Sequence, residues 1–132
     1  MKDSLKAGVQ ASRQITVDKE RTIDFMGDAL RVYATPKLVH DIEHSCRDLL
    51  LEHLDPGEDS VGTRVEIDHM GATLLNMTVT LSTTIKSVEG RLVTFEVTAE
   101  DDIEQVATCT HVRFVVEMSK LEQRLKAKAE KI

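Results

Sequence analysis

Between Pro36 and Pro56 the chain reads KLVHDIEHSCRDLLLEHLD, with apolar residues at 38, 39, 42, 46, 49, 50, 51 and 54. That spacing follows the 3.6-residue period of a helix. The segment is expected to be one long interior helix of about 19 residues, or ~28 Å at 1.5 Å per residue. Thr35 suits the N-cap and Pro36 the first helical position, where its missing N–H removes no helical hydrogen bond. Asp55-Pro56-Gly57 supplies the stop.

Beyond the helix the period changes to two. Val61, Thr63, Val65, Ile67 and His69 share one face, expected inward, with Gly62, Arg64, Glu66 and Asp68 on the other. Residues 77–88 set Met77, Val79 and Leu81 against Thr78, Thr80 and Ser82. Residues 91–99 continue with Val93, Phe95 and Val97, and 104–117 carry Val106, Thr108, Thr110, Val112, Phe114 and Val116. Glu89-Gly90 and Asp101-Asp102 read as tight turns. A weaker strand lies near residues 8–17. In the tail, Ser119 and Glu122 form a capping-box pattern ahead of Leu121, Leu125, Ala129 and Ile132, so 118–132 is expected to hold a short terminal helix. Strand, loop, long helix and then four strands joined by short turns imply an α+β domain with antiparallel neighbours. One helix must cover one face of the sheet, and an antiparallel sheet wrapped around one long helix is the hotdog fold. Other α+β sandwiches share this inventory.

With 132 residues the chain is one domain, 1–132, and it can bury roughly two-thirds of its unfolded surface without a disulfide or metal. The net charge of −6 argues against a nucleic-acid partner, which usually needs a basic face. Cys46 and Cys109 have no metal-ligand spacing and read as reduced, partly buried thiols. No apolar leader follows Met1 and no stretch approaches 18 apolar residues, so a cytoplasmic protein away from the membrane is expected.

Three residues are out of place for a purely structural role. Glu43 lies among Val39, Ile42, Cys46 and Leu50 on the helix. It is either a stripe-edge side chain reaching water or a carboxylate aimed into a cleft, where desolvation makes it a better base. His69 holds an inward strand position, as a satisfied core histidine or as an acid–base imidazole. Thr35 caps the helix, where free N–H groups and the positive dipole end also suit a developing oxyanion. His40-Asp41-Ile42-Glu43-His44 matches the zinc-peptidase pattern H-x-x-E-H. Both histidines lie off the apolar stripe and no third ligand is evident, so no metal site is expected.

Together these residues resemble the fluoroacetyl-CoA thioesterase family of hotdog proteins. The likeness rests on Ala34-Thr35-Pro36, Glu43, Ser60-Val61-Gly62-Thr63, Asp68-His69, Ala72-Thr73 and Met77-Thr78-Val79-Thr80. It implies an acyl-CoA thioester hydrolase with no cofactor beyond the coenzyme A of its substrate. In it Thr35, Glu43 and His69 would be catalytic: Glu43 the base or nucleophile, His69 the proton handler, Thr35 the hydroxyl that attacks or orients water. Gly62 would approach the acyl group and Arg113 would position substrate or structure. The resemblance also implies a homodimer, or a higher oligomer, joined edge to edge, with each site between helix and partner. The apolar faces of 91–99 and 104–117, with few guarding charges, read as the edges to be paired. Members that select fluoroacetyl groups carry aromatic shields before the helix. Residues 26–32 here carry none, so fluoroacetyl selectivity is not expected. The competing reading is a non-catalytic hotdog that binds acyl-CoA or acyl carrier protein.

Overall fold

In the computed structural model, which describes residues 1–132, the apolar stripe forms helix α1, Thr35–Leu51. Five strands surround it: β1 Gln10–Thr16, β2 Glu58–His69, β3 Thr78–Glu89, β4 Leu92–Glu100 and β5 Gln105–Glu117. They make one antiparallel sheet in the order β1-β3-β4-β5-β2. Helix α2, Met118–Ala129, follows β5 directly. This is the α+β hotdog arrangement. Leu38, Ile42, Cys46, Leu49 and Leu50 of α1 pack into the concave face against Val79, Leu81, Ile85, Val93, Phe95 and Val97. Each fully buried side chain of that size stabilises the fold by about 1.5–3 kcal/mol. No helix is long and apolar enough to cross a membrane.

Several local expectations are corrected. Ala34 occupies the N-cap position without a side-chain cap bond, which places Thr35 inside the first turn with its hydroxyl free for another partner. The helix ends at Leu51, and the N–H groups of His53 and Leu54 tighten back to Leu50 and Leu51. Leu54 is therefore buried by a turn, not by a longer helix. Around Ser119 no side-chain cap forms, and Glu122 pairs instead with Lys126. Among the apolar residues of the terminal stripe only Leu121 is even partly buried.

Two strand phases also differ. A bulge between Gly62 and Arg64 interrupts β2. Before it, Ser60 and Gly62 face the helix side and Val61 points away, 41% exposed. After it, Ile67 and His69 take the inward side as expected. An inserted residue shifts the two-residue period by one, which a period count alone cannot register. In β5 the concave face belongs to Ala107, Cys109, His111, Arg113 and Val115, the opposite phase from the alternating set that includes Val112 and Phe114. Polar His111 and Arg113 make that face look solvent-facing in sequence. The free edges are β1 and β2. β4 and β5, expected as the edges to be paired, lie inside the sheet.

Phe95 is fully buried in the main core cluster and stacks on His111. Phe95→Ala should lower unfolding free energy by about 3–5 kcal/mol. Leu125→Ala, on the exposed face of α2, should change it by no more than about 0.5 kcal/mol. Urea titration of the two variants measures both.

Candidate active site

The first turn of α1 and the end of β2 meet at one point. Thr35 Oγ1 lies 2.8 Å from His69 Nδ1, an exposed hydroxyl against a half-buried imidazole. Burial holds the His69 pKa below the ordinary imidazole range. The ring is therefore neutral at pH 7 and ready to take a proton. Its Nε2 is buried and meets no hydrogen-bond partner. The first-turn donors are sparser than the sequence implies. Pro36 has no N–H, and those of Lys37 and Leu38 both return to the Ala34 carbonyl. Thr35 keeps the unpaired backbone donor.

Glu43 sits in a second group. Its Oε2 lies 3.4 Å from Arg113 Nη1 and 4.0 Å from His111 Nε2. Arg113 is buried, its Nε donating to Ser60 Oγ at 2.7 Å and its Nη2 to the Ser60 carbonyl at 2.9 Å. Arg113 Nη1 also reaches His111 Nε2 at 3.1 Å. A guanidinium can only donate, so Nε2 must accept and the His111 proton must sit on Nδ1, directed at the Arg64 carbonyl 2.7 Å away. Burial, then the Arg113 charge, hold His111 below its ordinary pKa, consistent with that neutral tautomer. Gly62 completes the group. A Cβ there would stand 2.8 Å from Glu43 Oε2 and 3.2 Å from the His111 ring, so only glycine leaves the carboxylate where it is.

The structure thus joins Thr35 to His69 and joins Glu43 to Arg113 and Gly62. Within one chain it does not join the two groups. Thr35 and Glu43 are eight residues apart, about 12 Å along a helix axis. Both groups reach β2, whose outer edge has no strand beside it. Sequence reasoning missed His111 and Ser60. The run T-H-V-R at 110–113 offered a basic pair two residues apart, hence on one strand face, but off the phase of Val112 and Phe114 that the alternation singled out. It also missed Asp41, whose buried carboxylate takes hydrogen bonds from Tyr33 Oη and from Arg21 Nε at 2.9 Å and Nη2 at 3.1 Å. His40 and His44 are exposed on α1, with ring centroids 4.1 Å apart. Cys46 and Cys109 are free and buried, and burial pushes their thiols up to about 12 and about 11.

The fold is shared with known proteins. The chain is 29% identical to the fluoroacetyl-CoA thioesterase of Streptantibioticus cattleyicolor, covering 97% of each. It superposes on the crystal structure of a point mutant of the fluoroacetyl-CoA-specific thioesterase FlK with a TM-score of 0.86, at 29% identity, over 96% of this chain and 99% of that one. A Thermus thermophilus member of the thioesterase superfamily matches with a TM-score of 0.85 at 26% identity, over 98% and 99% of the two chains. The FlK mutant has also been solved with fluoroacetate and CoA. The family described as FlK, fluoroacetyl-CoA-specific thioesterase, matches residues 17–119, a span that includes every residue of both polar groups, and the chain belongs to that family.

Proposed function

We propose that this protein hydrolyses a short acyl-CoA thioester in the cytoplasm, as a homodimer in which each active site combines Thr35 and His69 of one protomer with Glu43 of the partner subunit. The observation that carries it is the 2.8 Å contact of Thr35 Oγ1 with His69 Nδ1. Thioester hydrolysis needs an oxygen nucleophile, a group to take its proton and donors for the carbonyl oxygen. In the route through the Thr35 hydroxyl, its oxygen attacks the carbonyl while His69 Nδ1 takes the proton, forming an acyl-Thr35 ester as the C–S bond breaks. The imidazolium then returns that proton to the leaving CoA sulfur. In this route Glu43, steadied by Arg113 and given room by Gly62, takes a proton from the water that attacks the acyl-Thr35 ester, releasing the acid and returning the proton to the Thr35 oxygen. In the alternative, a water held by Thr35 and deprotonated by Glu43 attacks the thioester directly. Side chains alone carry the reaction, with no metal and no cofactor other than the substrate's own CoA.

Symmetry supports the shared site. When one strand pairs antiparallel with its own copy across a two-fold axis, residue i faces residue j and j faces i. β2 carries Gly62 under Glu43 near its middle and His69 beside Thr35 at its end. Pairing β2 with a second β2 so that Gly62 faces the partner's His69 closes the separation that exists within one chain. It also covers the free edge, where Val61 and Val65 are exposed.

His69→Ala and Glu43→Gln should each lower kcat by about a hundredfold or more while remaining folded. Thr35→Ser should keep much of the activity and Thr35→Val should not. Light scattering should give twice the 14.8 kDa chain mass. Mixing the His69→Ala and Glu43→Gln proteins should restore up to about a quarter of wild-type activity, because half the dimers are mixed and each mixed dimer holds one intact site. Sites built within single protomers would give no recovery. If both single variants stay near wild-type rates, the non-catalytic acyl-CoA binder is the better reading. In wild type, kcat should fall on the acid side with a midpoint below the ordinary imidazole value, because burial lowers the His69 pKa and protonation removes the base.

Treatment with EDTA should leave the rate of thiol release unchanged. Zinc-restored loss of activity would instead make His40 and His44 ligands.

Before α1, residues 26–32 hold no aromatic ring, and the neighbouring Phe25 is 78% exposed rather than packed over Thr35 or His69. Fluorine for hydrogen in an acetyl group is a small change, worth about 1–3 kcal/mol at best in a simple pocket. The ratio of kcat/KM for fluoroacetyl-CoA over acetyl-CoA should therefore stay below about a thousandfold, and competition between the two substrates measures it.

A further inference from the structure

We propose that Tyr33, Asp41 and Arg21 fix the orientation of the His69 imidazole and so are positioning residues for the Thr35–His69 pair. This rests on the reading of that pair as the reacting site. An imidazole used for proton transfer is usually held by hydrogen bonds at both ring nitrogens. Here the only side-chain partner is Thr35, at Nδ1, the Gly71 backbone makes a weaker approach, and buried Nε2 has no partner of good geometry. With Nε2 unmatched within the chain, these contacts leave the tilt of the ring to packing. The second restraint is Tyr33, whose ring stands at 83° to the imidazole with centroids 6.5 Å apart, an edge-to-face contact.

Tyr33 is itself over-determined. Its backbone N–H donates to the Thr73 carbonyl at 2.9 Å, and Thr22 and Tyr33 form an isolated antiparallel bridge. Its hydroxyl donates to Asp41 on the second turn of α1. Arg21 then grips Asp41 through two nitrogens, while its own carbonyl takes the Ala34 N–H at 2.8 Å. The chain from Arg21 through Asp41 and Tyr33 therefore ties the segment entering α1 to the helix and ends on the His69 ring. The phenol does no chemistry: burial and the Asp41 hydrogen bond raise its pKa far above the ordinary range, and its proton is committed to Asp41. Apolar side chains would fill the same space without burying a carboxylate. The polar trio adds a single fixed geometry.

Within one chain Tyr33 is the titratable group that faces the imidazole, and in the proposed dimer Glu43 of the partner subunit joins it. On the β4–β5 turn, Glu104 lies against Gly71 and Asp101 accepts from Thr73, and neither bonds His69. Removing the Tyr33 ring should admit water and let the His69 pKa rise toward its ordinary value, since burial is what lowers it.

The test compares wild type with Tyr33→Leu, Tyr33→Phe and the double variant Arg21→Leu/Asp41→Leu, using acetyl-CoA hydrolysis and NMR titration of His69. Tyr33→Leu should lower kcat by about ten- to a hundredfold with KM within about twofold, as for a misplaced reacting group with intact binding. Its His69 titration and the acid limb of kcat should both move to higher pH. Tyr33→Phe and the double variant should move kcat the same way by less. If Tyr33→Leu fails to fold, these two carry the comparison. Folded variants with wild-type kcat and an unmoved His69 titration overturn the proposal. If His69→Ala is as active as wild type, the site reading fails instead, and the titration still decides whether the trio holds the ring.

Discussion

The seating of α1 in the concave sheet is the constraint on which everything else depends. Leu38, Ile42, Cys46, Leu49 and Leu50 fix how the helix is rotated and how far it slides. Thr35, Asp41 and Glu43 ride on that rotation. Successive helical residues differ by about 100° in direction, so a slip of one position would turn all three away from their partners. Hydrophobic burial supplies the free energy, and the jigsaw of that stripe against β3 and β4 supplies the register. The polar chemistry inherits its geometry from apolar packing.

The buried polar groups follow a common rule. Each is taken from water only where donors and acceptors match. Arg113 spends its donors on Ser60, His111 and Glu43, and Asp41 is met from two sides by Arg21 and Tyr33. A lone charge in such places would be strongly destabilising, and removing one partner from a buried pair costs about 3–5 kcal/mol. His69 is the exception, with Nε2 buried and unmatched. An unmatched atom on the residue that also contacts Thr35 marks the place where the fold accepts an imperfect arrangement, as reactive sites commonly do.

β2 links packing to assembly. It carries a bulge at Gly62–Arg64 and an unpaired edge, and it delivers Gly62 to Glu43 and His69 to Thr35. The bulge lets Ser60 and Gly62 face the helix on one side of it and Ile67 and His69 on the other. Without that added residue one of the two polar groups would point away from α1.

Sequence alone determined the elements whose apolar period is regular. The stripe from Leu38 to Leu50 specified α1, and the alternation through Val79, Leu81, Val93, Phe95 and Val97 specified β3 and β4 with their inward faces. Burial there is decided residue by residue, so a local pattern is enough. The candidate residues Thr35, Glu43, His69, Gly62 and Arg113 were also legible, because polar groups or a glycine at such positions conflict with the pattern or match a family's spacing. What each touches was not legible. The bulge in β2, the inward phase of His111 and Arg113, the diversion of the Thr35 hydroxyl from capping to His69, and the Tyr33–Asp41–Arg21 trio join residues up to 70 positions apart. A buried polar group is stable only through partners that the tertiary structure brings to it. Its place is therefore decided by the fold as a whole and carries no periodic signature along the chain.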